Sequence, residues 1–239
     1  KKQQRYPRFK RKRYRSSARY QAANILSKDG KLFVAKIKTG IKVKWSRDLS
    51  SEPSNVTVSQ NEAGQWFASF LCEDEIEPLK GGNESVGVDV GIKDFATLST
   101  GEKVKLPKRI KRQRIKLRRA QKALSRKKKG SNNRAKAKLK VARIHQRSAN
   151  IRKDFLHKLS TRLIRENQTV CVEDLNVSGM MKNRKLARSI SEQGWRELRT
   201  LLEYKAEWYG CELIVRDRFF TSSILFFNFL SKNTELKLS

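Results

Sequence analysis

Residues 85–100, SVGVDVGIKDFATLST, decide the fold. Val86, Val88 and Val90 alternate with Gly87, Asp89 and Gly91, the period of a strand with one apolar face. The reading makes this a core strand with an acid half-way along it. A carboxylate removed from water without a partner costs several kcal/mol, so Asp89 calls for a counter-charge. Apolar and polar residues keep alternating through FATLST and, past Gly101, through KVKLP. The stretch therefore reads as the start of a three-strand meander.

Upstream, residues 1–80 read mostly as β-structure. KLFVAKIKTGIKVKW and SNVTVSQNEAGQWFASFLCED alternate, with Gly30, Gly40 and Gly64 at hairpin-like positions. Val56 and Val58 are expected to pair with Trp66, Ala68 and Phe70 around NEAG. Many short strands with basic outward positions suggest a small barrel. The leading KKQQRYPRFKRKRYRSSARY interleaves aromatics with cations that include Arg5 and Arg8. Such a mixture suits base stacking and phosphate contact, or an arm packed on the barrel. EPLKGGNE, residues 77–84, is a linker by its Pro and Gly content.

Downstream the character changes. Residues 107–153 carry 21 Lys or Arg and no Asp or Glu. Ile110, Leu117 and Leu124 recur at the heptad spacing of packed helices, KKKGSNNR breaks the pattern, and a second helix is expected from about 134 to 166. Its apolar line is Leu139, Ile144, Ile151, Phe155, Leu159 and Leu163. A solvated helical face mixes both signs of charge, so a one-signed run of this length reads as a nucleic-acid surface. Lys108, Arg109, Arg112, Arg118, Arg119, Arg126, Lys127, Lys128, Arg134, Arg143 and Arg147 are its candidate contacts. The whole chain, 239 residues with 56 Lys and Arg against 23 Asp and Glu, has a formal net charge of +33, which a polyanion would offset.

TVCVEDLNV, residues 169–177, is a further strand with Glu173 on the face of Cys171. ISEQGWRELRTLLEYKAEWYG reads as one amphipathic helix with a stripe of Trp195, Leu198, Leu202, Ala206 and Tyr209, closed by Gly210. CELIVRD is the last strand. Cys72, Cys171 and Cys211 are scattered and odd in number, which suits reduced core residues rather than a disulfide framework. No secretory h-region and no membrane-length apolar run occurs, so a cytoplasmic, nucleoid-associated site of action is expected and a membrane partner is not.

Three meander strands, a helical segment, a strand, a helix and a strand make a ribonuclease-H-like order, in which the first and fourth strands are neighbours. Asp89 and Glu173 would then converge. Two close carboxylates that stay ionised generally hold a divalent cation, and Mg²⁺ prefers oxygen ligands. The other reading of both acids is ordinary pairing with Arg or Lys.

VGVDVGIKDFATLS, RKDFLHKLSTRLIREN, VCVEDLNVSGM and ARSISEQGWRELRTLLEYKAEWYG, in that order, resemble the TnpB family of insertion-sequence proteins, related to type V CRISPR effectors. The resemblance runs from about Tyr6 to the end. It implies an α+β or α/β protein: a wedge-type β-barrel with a basic arm at 1–80, RuvC part I at 81–106, a basic helical insert at 107–166, RuvC part II at 167–218, and a remnant of a zinc-binding region at 219–239. It also implies a guide RNA, a DNA target, and Asp89 and Glu173 as the first and second catalytic, Mg²⁺-binding acids of a DNA endonuclease.

The chain departs from the family pattern near its end. Phe226 and Phe229 stand where the first zinc-binding cysteine pair is expected, so no zinc is expected, and residue 239 comes before the second pair and the third catalytic Asp. The family's part ahead of the barrel also looks missing, and the chain reads as truncated. The expected product is a TnpB-like nucleic-acid binder with little or no nuclease activity and weak or no Mg²⁺ binding. Alternatives are an endonuclease still active through Asp217 (or, failing it, Asp94 or Asp174) or through a partner protein, a non-cutting RNA-guided DNA binder, and an RNA-scaffolding protein.

Overall fold

The structure is a computed structural model that describes residues 16–21, 25–28, 31–35, 37, 39–79 and 84–217. Arg5, Arg8, Phe226, Phe229 and the rest of 219–239 lie outside the described residues. The chain divides into two compact units, one of residues 1–75 and 123–143, the other of 76–122 and 144–239.

The first unit contains β1 (Ser17–Gln21), β2 (Ile25–Lys28), β3 (Lys31–Val34), β4 (Ile41–Lys42), β5 (Asn55–Gln60) and β6 (Trp66–Leu71). The expected hairpin forms: Val56 pairs with Phe70, Val58 with Ala68 and Gln60 with Trp66. Its turn is closed by Asn61, whose side chain accepts from the Gln65 amide at 2.9 Å, and by Gly64 at φ 76°. A closed barrel is not what the described strands make. They form two three-stranded sheets, β1-β5-β6 and β2-β3-β4. The sheets share a core of Leu32, Val34 and Val56, with Tyr20, Ile41, Val43, Val58, Ala68 and Phe70 packed around it. Alternation defines the inward face of a strand equally well in a sandwich and a barrel, which is why the sequence suggested closure.

The second unit holds β7 (Ser85–Val90), β8 (Ala96–Leu98), β9 (Lys103–Val104), β10 (Thr169–Asp174) and β11 (Glu212–Asp217) in one sheet of order β11-β10-β7-β8-β9. The meander is antiparallel, while β10 runs parallel to both β7 and β11. The first and fourth strands of this unit are thus neighbours, as the order of elements implied.

Between β9 and β10 run α1 (Lys108–Ser125) and α2 (Asn132–Glu166). They are separated at Gly130, whose φ of 84° a side chain would strain. Of the expected apolar line, Leu159 and Leu163 are buried, joined by Leu156 and Ile164; Phe155 packs edge-on against Phe95 with ring centroids 5.0 Å apart. After β10 come α3 (Val177–Met180), α4 (Ala187–Gln193) and α5 (Trp195–Tyr209).

The single helix expected over residues 190–209 is two. Gly194 takes φ 81°, ending α4 and beginning α5. A left-handed residue breaks the hydrogen-bond ladder, and the apolar periodicity runs on through the break because both segments bury Ile190, Trp195 and Leu198. Gly210 caps α5 as expected, at φ 72° with its N–H on the Ala206 carbonyl. Val86, Val88, Val170 and Val172 on one sheet face pack against Leu156, Leu159, Leu163, Leu198 and Leu202. Each such side chain contributes roughly 1.5–3 kcal/mol on burial. No described helix is long and apolar enough to cross a membrane.

Candidate metal and nucleic-acid site

Parallel β7 and β10 pair Thr169 with Ser85, Val170 with Val86, Cys171 with Gly87 and Val172 with Val88. The ladder ends there, and Glu173 and Asp89 are the residues that follow it on the two strands. Paired residues of neighbouring strands project from the same face, and their backbones lie about 4.8 Å apart. The two acids therefore stand side by side at the carboxyl ends of two parallel strands. They face away from the valines that pack under the helices.

Asp89 is not the deeply buried acid its strand suggested. Val86, Gly87 and Val88 are buried, but the strand surfaces at Asp89, which is exposed. Desolvation by its surroundings still raises its carboxyl above the usual range. Among the described residues no hydrogen bond or ion pair engages it. Glu173 is half-buried. Among the described side chains no third acid joins the pair. Asp174 bonds Arg199, which also donates to Glu203 at 2.9 Å. Asp217 is in register with Asp174, one step out of line with Glu173. Asp94 lies in the turn between β7 and β8, where its carbonyl is 3.0 Å from the place a Gly91 Cβ would occupy. Among the described residues no group of three His, Cys, Asp or Glu is placed to hold a metal ion.

The row continues across the whole sheet. Asp89 pairs with Thr97, Thr97 with Lys103, and Glu173 with Arg216. From edge to edge the order is Arg216, Glu173, Asp89, Thr97, Lys103. Neither flanking cation is legible in the sequence, because register across strands far apart in the chain is set by pairing and not by local pattern.

The basic insert offers a second kind of surface. Lys108, Arg109 and Arg112 come together with Pro107, Ile151 and Asp154 around a groove of about 410 Å³. Arg118, Arg119, Arg126, Lys127, Lys128, Arg143 and Arg147 are all exposed. Among the described residues, none of these ten cations is paired with a carboxylate. By contrast Arg114, Arg152 and Arg162 bridge to Glu192, Glu197 and Glu102. Arg134 is differently engaged: its Nη1 donates to the carbonyls of Leu124 and Lys127, both at 3.0 Å, so the head group closes the C-terminus of α1.

A cleft of about 380 Å³ at the ends of β7 and β10, beside α5, is lined by Val88, Val90, Val172, Glu173, Trp195 and Arg199 among others. The cysteines are all free, with Cys171 buried and Cys72 and Cys211 half-buried.

Residues 69–184 match the model of a probable transposase family, OrfB_IS605, and residues 195–226 match the Cas12f1-like TNB domain. The chain belongs to the OrfB_IS605, TnpB-like family. A protein of Streptomyces pristinaespiralis, provisionally named an RNA-guided DNA endonuclease, is 53% identical over 227 residues, covering 94% of this chain and 56% of the relative. InsQ of Escherichia coli K12, provisionally named in the same way, is 35% identical over 234 residues, covering 91% of this chain and 58% of InsQ. The chain thus spans rather more than half the length of these relatives. Among solved structures, Cas12f1 in complex with a single-guide RNA and target DNA has a TM-score of 0.50 at 16% identity, over 87% of this chain and 51% of that one. That likeness is one of fold, a mixed α+β architecture.

Proposed function

We propose that this TnpB-like chain binds a guide RNA and its DNA target, acting in the bacterial or archaeal cytoplasm at the nucleoid. Its second unit is read as a RuvC-type sheet whose acid pair takes Mg²⁺, and its first as a wedge-like element. The observation that supports the reading is the register of β7 and β10, whose last pair, Val88 and Val172, immediately precedes Asp89 and Glu173 on the two strands. Two neighbouring oxygen donors, one of them desolvated and with no cation partner among the described residues, are a donor set that suits a hard divalent ion. When bound, Mg²⁺ at such a site activates water and stabilises the leaving oxygen of a phosphodiester. The residues' own part is to hold the ion at a surfaced strand end, which a polynucleotide can reach. The unpaired cations of α1, α2 and their turn would carry the phosphates, with base pairing reading the sequence.

Cleavage by this chain alone is proposed to be weak or absent. Two carboxylates leave the coordination of a metal loosely fixed, and no third described acid joins them. Zinc has no place in the proposal, since Phe226 and Phe229 offer no ligand atoms. A purified complex with its transposon-end RNA should bind target DNA and show at most slow, Mg²⁺-dependent cleavage of a target plasmid. Efficient cleavage that survived Asp89→Ala would refute the assignment of the acid pair. Efficient cleavage lost in Asp89→Ala would keep the pair and refute the inactivity.

A further inference from the structure

We propose that Arg216 and Lys103 are phosphate anchors that lay a single nucleic-acid strand across the sheet, over the acid pair; this rests on the nucleic-acid reading above and names the track the strand follows. The five-residue row carries the argument. Three of its four steps are register pairs, and the fourth, Glu173 to Asp89, follows directly on the paired Val172 and Val88, so alternation puts Arg216, Glu173, Asp89, Thr97 and Lys103 on one face and near one line. At about 4.8 Å per strand the line is about 19 Å long. Positive charge stands at both ends and negative charge lies inside.

The helices cover the valine face, so this line belongs to the other one. Arg216, Asp89 and Lys103 are exposed, and Glu173 and Thr97 half-buried. Arg216 also makes its charge felt at Cys171, one pair back on the same face, where it opposes the rise that burial imposes on the thiol. Carboxylates without a bound metal ion repel a polyanion, so cations on either side of the pair are what would hold a strand across this row. Arg216 borders Glu173 directly, and Lys103 borders Asp89 across Thr97, whose hydroxyl can donate to a phosphate oxygen. A strand running perpendicular to the β-strands would meet a guanidinium, the acid pair, a hydroxyl and an ammonium in turn. Tracks at right angles to this one, along β7 or β10, would meet Gly87 and Cys171 instead, which offer no cation.

The test uses the full chain and a fluorescein-labelled single-stranded DNA of about 12 nucleotides in EDTA, so that no metal contributes. Affinity is measured by anisotropy from low to moderate salt. For single strands the slope of log K against log salt changes by about 0.7 per phosphate neutralised. The Arg216→Gln/Lys103→Gln double variant should have a slope shallower by about 1.4, and Arg216→Lys/Lys103→Arg should keep it. Lys182→Gln/Arg184→Gln, in the exposed segment between α3 and α4, removes the same charge and should leave the slope near that of the parent. An equal slope in the first double variant and the parent would overturn the track, as would equal losses in the two Gln doubles. If the parent bound no single strand at all, the nucleic-acid reading itself would fall, and the track with it.

Discussion

Lys205 Nζ donates to Ser160 Oγ at 2.8 Å, pinning α5 to α2 above the sheet. The same ammonium donates to Thr161 Oγ1 at 2.7 Å and to the His157 carbonyl at 2.9 Å. It is 6% exposed, and all three acceptors are neutral. Burial pushes the pKa of Lys205 down. Lys205→Ala removes three charge-assisted bonds and leaves a void, and should cost about 2–3 kcal/mol in denaturant unfolding. The pH dependence carries a sign. The folded state releases this proton more readily than the unfolded one, so the parent gains stability as pH climbs from the lowered value towards 10.5. The variant should lack that gain.

Asp89 has the opposite linkage. Its carboxyl is raised by desolvation, so the folded state holds the proton more tightly than the unfolded chain, whose value is near 3.8. Stability contributed by this group is full below that value and is lost as pH rises through the folded one. Asp89→Asn should therefore raise the melting temperature slightly at pH 7 and leave it unchanged below about pH 3.5, as scanning calorimetry would read. Added Mg²⁺ should stabilise the parent by mass action and not the variant.

Gly194 sits at φ 81°, and a Cβ there would stand 3.0 Å from Arg152 Cδ and 3.2 Å from Leu156 Cδ1. Gly194→Ala combines left-handed strain with displacement of a core leucine, so it should destabilise by about 1–2 kcal/mol. Chemical denaturation would show it as a lowered midpoint at an unchanged slope.

Arg134 and Arg126 separate structure from binding. Arg134→Ala frees two carbonyls at the end of α1 and should cost about 1 kcal/mol in stability. Arg126→Ala should leave the melting temperature alone and weaken RNA binding in a salt-dependent way. A melting curve and a filter-binding titration on each variant would check the contrast.

The sequence carried the elements better than their assembly. Val86, Val88, Val170 and Val172 announce their strands because alternation is local, and the neighbour relation of β7 and β10 follows from the order of elements. The heptad residues Ile110 and Leu117 placed α1, and Gly210 its counterpart's cap on α5. What escaped depends on distant partners. Arg134 reads as one more cation in a basic run until Leu124 and Lys127 are seen to face it. Lys205 reads as a solvated lysine of an amphipathic helix, yet its position falls on the buried stripe between Leu201 and Ala206. Asp89 was placed on the right strand and face but too deep, since periodicity does not tell where a strand emerges from its sheet.

The pairing of Val88 with Val172 also bears on synthesis at the ribosome. The meander of β7, β8 and β9 leaves the exit tunnel before the helical insert, and its first strand, β7, must wait for the whole insert before its parallel partner exists. During that interval Val86 and Val88 present an unmatched apolar edge, and such delayed long-range pairing is slow and prone to self-association. The abundance of like charge in the intervening helices would keep nascent chains apart until the sheet can close.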